Sequence, residues 1–195
     1  MAVRKILQIG DPRLKAKNRR IEDFNNPKIK KVVKDLVETM RASGLLIGIA
    51  APQIGENYQI IATEIRKTKT RTGIQTDKLR VYINPEIVSY SENKDVAYEG
   101  CGSVVQANLF GPVERPKEII IEAFSPDGHK FGLKCDGLLA RVIQHEYDHL
   151  SGIEFTEKIN DYRKLMNRDF YIKKIKDSKQ QIQSSIITIK EFSEL

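Results

Sequence analysis

Cysteine is scarce in this chain, with only Cys101 and Cys135 among 195 residues. A chain of that length can fill a hydrophobic core without covalent staples, so the two read as thiols rather than as a disulfide framework. Long apolar runs are lacking as well. None approaches the ~20 residues of a membrane-spanning helix, and the opening MAVRKILQIGDPR has no unbroken apolar stretch of the secretory kind. A cytoplasmic location with no membrane partner is the expectation. Glycine and proline are modest, 12 and 7 residues, and no internal repeat or low-complexity tract interrupts the chain, which excludes fibrous and wholly disordered classes.

What is present fits one globular domain spanning residues 1–195, with 40% hydrophobic and 30% charged residues. Lysine and arginine number 33 against 26 acidic residues, a net +7 with histidine neutral. Such a balance favours anionic surroundings, an RNA or ribosome surface, although it is also common on soluble proteins; nothing singles out specific DNA.

Residues 1–20, with a turn at Gly10-Asp11-Pro12 and an anchor at Leu14, read as a segment laid over the domain. Ile29, Val32, Val33, Leu36, Val37 and Met40 then form one apolar stripe at helical spacing, predicting a helix over 27–43 capped by Asn26. Strand-like runs follow at 58–63, 79–83 and 117–124, separated by turns at Asn84-Pro85 and Pro126-Asp127-Gly128. The basic, threonine-rich stretch 66–73 reads as a solvated loop. Helical spacing returns over 137–150, with Asp136 placed to cap it. Residues 156–195 form a charged C-terminal extension, in which Tyr162, Leu165, Met166 and Phe170 suit a further amphipathic helix and Ile186, Ile187 and Ile189 a short strand. The order predicts an α+β fold with a helix packed on antiparallel sheets.

Inside the second predicted helix lies His145-Glu146-Tyr147-Asp148-His149, the H-E-x-x-H pattern. Side chains four apart on a helix share a face, so two imidazoles can converge on one ion while Glu146 is left for proton transfer. A catalytic site normally has three protein ligands and an open position, so a third donor must come from elsewhere. His129 sits at a turn and reads as exposed. Cys135 reads as a small buried residue. Cys101, in Glu99-Gly100-Cys101-Gly102-Ser103, is the better donor: its flanking glycines permit close backbone approach and unusual dihedrals, and a thiolate suits zinc or ferrous iron. The small-residue segment Gly48-Ile49-Ala50-Ala51-Pro52-Gln53 could let a peptide backbone lie along Gly48 and Ile49, with the Gln53 amide donating to a developing oxyanion.

Taken together, these segments resemble the peptide deformylases, which carry Gly-x-Gly-x-Ala-Ala-x-Gln, Glu-Gly-Cys-x-Ser and Gln-His-Glu-x-x-His in that order. The resemblance covers most of the chain up to about Phe155. It implies antiparallel β-sheets around a central helix bearing the histidines, and hydrolysis of the formyl group from N-formylmethionyl nascent peptides with release of formate. It further implies that Cys101, His145 and His149 hold Fe2+, replaceable by Zn2+, Ni2+ or Co2+. Glu146 would be the acid/base, Gln53 and the Gly102 amide the donors to the formyl oxygen, and Arg115 the partner that orients Glu99. Two positions depart from the pattern: Leu46 stands where the first glycine is usual, and Gly102 where a leucine is common. Leu46 is expected to add bulk near the cleft, and Gly102 to loosen its own amide. The alternatives at this stage are a relative of weakened or altered activity, a zinc peptidase using the same helix, and a ribosome- or RNA-binding module with a structural ion.

Overall fold

The computed structural model describes residues 3–67 and 75–195. Most of the basic stretch 66–73 therefore lies outside the described residues. The first helix, α1 (Pro27–Ala42), begins where Asn26 accepts the Lys28 N–H at 2.9 Å and proline occupies the first turn. Strands β1 (Gly48–Ala50), β2 (Ile60–Ile65), β3 (Asp77–Tyr90), β4 (Lys94–Glu99), β5 (Leu109–Pro116), β6 (Glu118–Phe124) and β7 (Lys130–Asp136) follow. The second helix, α2 (Gly137–Leu150), has the bounds its spacing predicts. The C-terminal part adds β8 (Met166–Asn167), α3 (Arg168–Lys174), α4 (Lys179–Gln183) and β9 (Lys190–Glu194).

One sheet runs in the order β1-β2-β3-β6-β7-β9, the other β4-β5-β8, and every pairing between these strands is antiparallel. Strand alternation divides the core. Ile60, Ala62, Val81 and Ile83 pack with Ile29, Leu36 and Met40 of α1. Their sequence neighbours Ile61 and Tyr82 pack instead with Leu139, Ala140 and Ile143 of α2. The larger sheet is thus covered by a helix on each face. The outer side of α2 meets the smaller sheet, where Arg141 and Gln144 donate to the carbonyls of Val113 and Pro116 on β5. This is the expected α+β arrangement, with the motif-bearing helix between two antiparallel sheets. Among the described residues no helix is long and apolar enough to cross a membrane.

Four local expectations are corrected. Asn84-Pro85 is not a turn between strands but an irregularity inside β3, where the register shifts between Ile83 and Glu86. Asn84 takes a φ of +50° there, and its side chain both accepts the Ile21 N–H and donates to the Ile21 carbonyl. Asp136 does not cap α2. Its carboxylate instead accepts the N–H groups of Thr188 at 2.7 Å and Ile189 at 2.9 Å and the Thr188 hydroxyl. Tyr162, Leu165, Met166 and Phe170 do not share one helix. Met166 pairs with Phe110 on β5, and Asn167 restarts the chain as α3 by accepting the Phe170 N–H. Ile186, Ile187 and Ile189 precede the last strand rather than form it; Gln75 holds the backbone of Ile187 and Asp136 that of Ile189. Through β8 and β9 the charged extension contributes a strand to each sheet.

Residues 3–15 lie over the domain as expected. The Leu7 N–H donates to the Gln53 carbonyl and the Ile9 N–H to the Ser103 carbonyl, while Leu14 is buried.

Candidate metal centre

Three elements deliver the candidate ligands. His145 and His149 project from one face of α2, and Cys101 follows the end of β4 at the start of a 3-10 turn (Gly102–Val104). The sulfur and one nitrogen from each ring all lie within 4.8 Å of one another, and Cys101 Sγ stands 3.2 Å from His149 Nε2. A soft sulfur and two imidazoles are a donor set suited to zinc or ferrous iron. The three residues named from the sequence therefore do come together. Cys135 is fully buried among Ile119, Leu133 and Leu139, and His129 is exposed beside its turn.

Each ring is oriented from behind. His145 Nδ1 lies 2.9 Å from Glu99 Oε2, which directs its other nitrogen toward the cluster. Arg115 grips Glu99 with both Nε (2.7 Å) and Nη2 (2.9 Å), as the sequence suggested. Two participants were missed. Arg141 also donates to Glu99 at 2.8 Å, and Asp148 accepts from Arg115 Nη1 at 2.8 Å. Both lie on α2 and both are buried, and nothing local in the sequence sets them apart from ordinary surface charges. Glu154 is a third omission: it is buried, with Oε1 3.6 Å from His149 Nδ1.

The electrostatics follow from burial and these partners. Burial works against the Glu99 carboxylate, but Arg115 and His145 overcome it and hold the group well below the usual carboxylate range. Burial also opposes charge on His145, yet the neighbouring Cys101 and Glu99 raise it well above the ordinary value, whereas burial and the charge of His145 push His149 down. The Cys101 thiol is pushed up by burial. Glu146, 4% exposed, is raised to about 7 chiefly by burial, and its Oε2 has no hydrogen-bond partner.

Gly48 makes room for that carboxylate. A Cβ at position 48 would lie 2.5 Å from Glu146 Oε1, so glycine on β1 is what lets Glu146 stand against the strand. The Ile49 side chain is fully buried in the α1 core, leaving only its backbone to face a ligand. β1 is the outermost strand of its sheet, where a further extended segment can add. Gln53 sits on a 3-10 turn (Ala51–Ile54), and its Oε1 accepts the Ala50 N–H at 2.8 Å. That bond fixes the amide so that Nε2 points at Cys101 Sγ (3.4 Å) and Ser103 Oγ (3.2 Å).

The glycines flanking Cys101 were expected to supply unusual dihedrals, and neither does; both stay out of the positive-φ region. What they share is close approach by a neighbouring side chain. A Cβ on Gly100 would stand 2.7 Å from Phe110, and one on Gly102 3.2 Å from Leu46.

The chain as a whole is similar to known proteins. The family model described as polypeptide deformylase matches residues 3–165. A peptide deformylase of Pseudothermotoga lettingae is 38% identical over 178 residues, 91% of this chain and 95% of that protein. Peptide deformylase 1 of Ralstonia nicotianae is 39% identical over 184 residues, 94% and 98% of the two chains. Among solved structures, the peptide deformylase from Ehrlichia chaffeensis in complex with actinonin superposes with a TM-score of 0.74 at 32% identity, covering 92% of this chain and 99% of that one. A Met-Ala-Ser-bound class I type b peptide deformylase from Acinetobacter baumannii gives 0.76 at 28% identity, covering 81% and 99%.

Proposed function

The chain belongs to the polypeptide deformylase family, and from that membership we propose that Cys101, His145 and His149 are its metal ligands and Glu146 its proton carrier. The activity is metal-dependent hydrolysis of the N-formyl group of formylated peptides, with release of formate. The observation that carries the assignment of roles is the convergence of one thiol and two imidazoles within 4.8 Å, beside a buried carboxylate that lacks a hydrogen-bond partner. A structural ion has no use for such a carboxylate, which argues against the module reading.

Fe2+ is the ion we propose, with Zn2+, Ni2+ or Co2+ able to replace it; when bound, it supplies Lewis-acid polarisation and makes water a competent nucleophile near neutral pH. Glu146, lifted toward neutrality by burial, takes the proton of the attacking water and passes it to the leaving amine. Gln53 Nε2, pre-aimed by the Ala50 N–H, and the Gly102 amide donate to the formyl oxygen as charge develops on it. The peptide backbone lies along the outer edge of β1 at Gly48 and Ile49. Glu99, held by Arg115 and Arg141, keeps His145 in a single orientation and tautomer.

We place this activity on N-formylmethionyl nascent chains in the cytoplasm. The +7 surplus supports contact with the ribosome, to be read as cosedimentation that weakens with added salt. The direct test is formate release from a formyl-methionyl peptide under anaerobic conditions with iron added. Formate without internal fragments is expected; fragments without formate would favour the peptidase alternative.

A further inference from the structure

The two departures from the family pattern, far apart in sequence, meet in space. Leu46 precedes β1, and Gly102 opens the turn after Cys101. The two methyl carbons of Leu46 lie 3.2 and 3.3 Å from where a Cβ on Gly102 would stand, with Ile6 Cδ1 at 3.6 Å. The left-handed backbone region is not used at Gly102, so its lack of a side chain answers to volume and not to dihedral. The peptide that carries the Gly102 N–H is tied through its carbonyl, which accepts the Val104 N–H at 3.2 Å, and the next two peptides are tied as well, with Gln8 Nε2 donating to the Gly102 carbonyl at 3.0 Å and the Ile9 N–H to the Ser103 carbonyl at 2.7 Å. Leu46 itself is half-buried against the α1 core, with its N–H bonded to Ser43 Oγ at 3.0 Å and its carbonyl accepting from Arg66 Nη2 at 3.1 Å, so its backbone is held on both sides.

We propose that Leu46 is a positioning residue for the Gly102 amide: it fills from the opposite wall the volume a side chain at 102 would occupy, making the two a volume-matched pair. This rests on the reading that the Gly102 N–H donates to the substrate oxygen. Loss of Leu46 would let the Gly102 peptide rock between its anchors. A donor that must meet charge in the transition state then loses aim, which lowers kcat more than it changes KM.

The test uses the full nickel-loaded chain and four variants: Leu46→Ala, Leu46→Met, Gly102→Ala and the double Leu46→Ala/Gly102→Ala. With a formyl-Met-Ala peptide, Leu46→Ala should lower kcat about tenfold with KM within about twofold, and Leu46→Met should stay within about twofold of the parent. Gly102→Ala should be damaging beside Leu46 yet raise kcat in the Leu46→Ala background, where the space has been vacated. Losses that simply multiply in the double variant, or an effect confined to KM, would overturn the pairing. Thermal melting gives a readout independent of activity: Gly102→Ala should lower Tm beside Leu46 but not in the Leu46→Ala background, and equal drops would reject the proposal. Absence of formate release from the parent would refute the assigned function while leaving the melting comparison to decide the pair.

Discussion

At Glu146 a carboxylate oxygen is buried without a hydrogen-bond partner while its pKa is lifted to about 7. Such a group costs stability, and the proton-carrier role proposed for it supplies a reason to retain it. Glu146→Gln keeps the shape and removes the charge. The variant should bind metal as the parent does and melt no lower, yet turn over about 10²–10⁴-fold more slowly; metal analysis, melting and formate release check the three parts together. Residues such as this were legible in the sequence because their chemistry is rare and their spacing fixed: His145 and His149 stand four apart, with Glu146 between them. Arg141, Asp148 and Glu154 were not legible. Arginine, aspartate and glutamate are ordinary surface residues, and only tertiary packing shows that these three are buried against Glu99, Arg115 and His149.

At the scale of the element, α2 is the part on which the site depends. It was readable at both ends because its apolar stripe is long and its start is marked by Asp136-Gly137. The reason for that start was misread: Gly137 has a φ of +56°, and a Cβ there would collide with the Ile186 carbonyl. The C-terminal segment is thus strapped across the first turn of the helix, with Asp136 bonded to Thr188 and Ile189. Gly137→Ala should cost about 2 kcal/mol or more from strain and displacement together, read by denaturant unfolding. A loss within a few tenths of a kcal/mol would show that the strap yields freely. The failed readings lie in the same region. β8 is two residues long and takes its pairing from β5, and the run of isoleucines before β9 is held by side chains from elsewhere, so no local period announces either.

Across the whole molecule, Glu99 connects β4 to β5 through Arg115 and to α2 through Arg141 and His145. Glu99, Arg115 and Arg141 are all buried, so each is tolerable only while the others are present. Glu99→Ala leaves two guanidinium groups in the interior with a lost partner and should destabilise the fold by about 3–5 kcal/mol. The smaller loss typical of a surface ion pair, seen in denaturant titration, would mean that solvent reaches this junction. The layered architecture that creates it was foreseeable from the alternation of helix and strand patterns. The position of the smaller sheet was not, since β4 and β5 carry charged and aromatic residues in no clean period.

Zinc K-edge X-ray absorption on the zinc-loaded chain measures the coordination sphere itself. One sulfur at about 2.3 Å with two imidazole nitrogens at about 2.0–2.1 Å and one oxygen is the expected shell, and Cys101→Ser should remove the sulfur. A shell of two sulfurs, of no sulfur, or of four protein ligands with no solvent oxygen would contradict the centre described here.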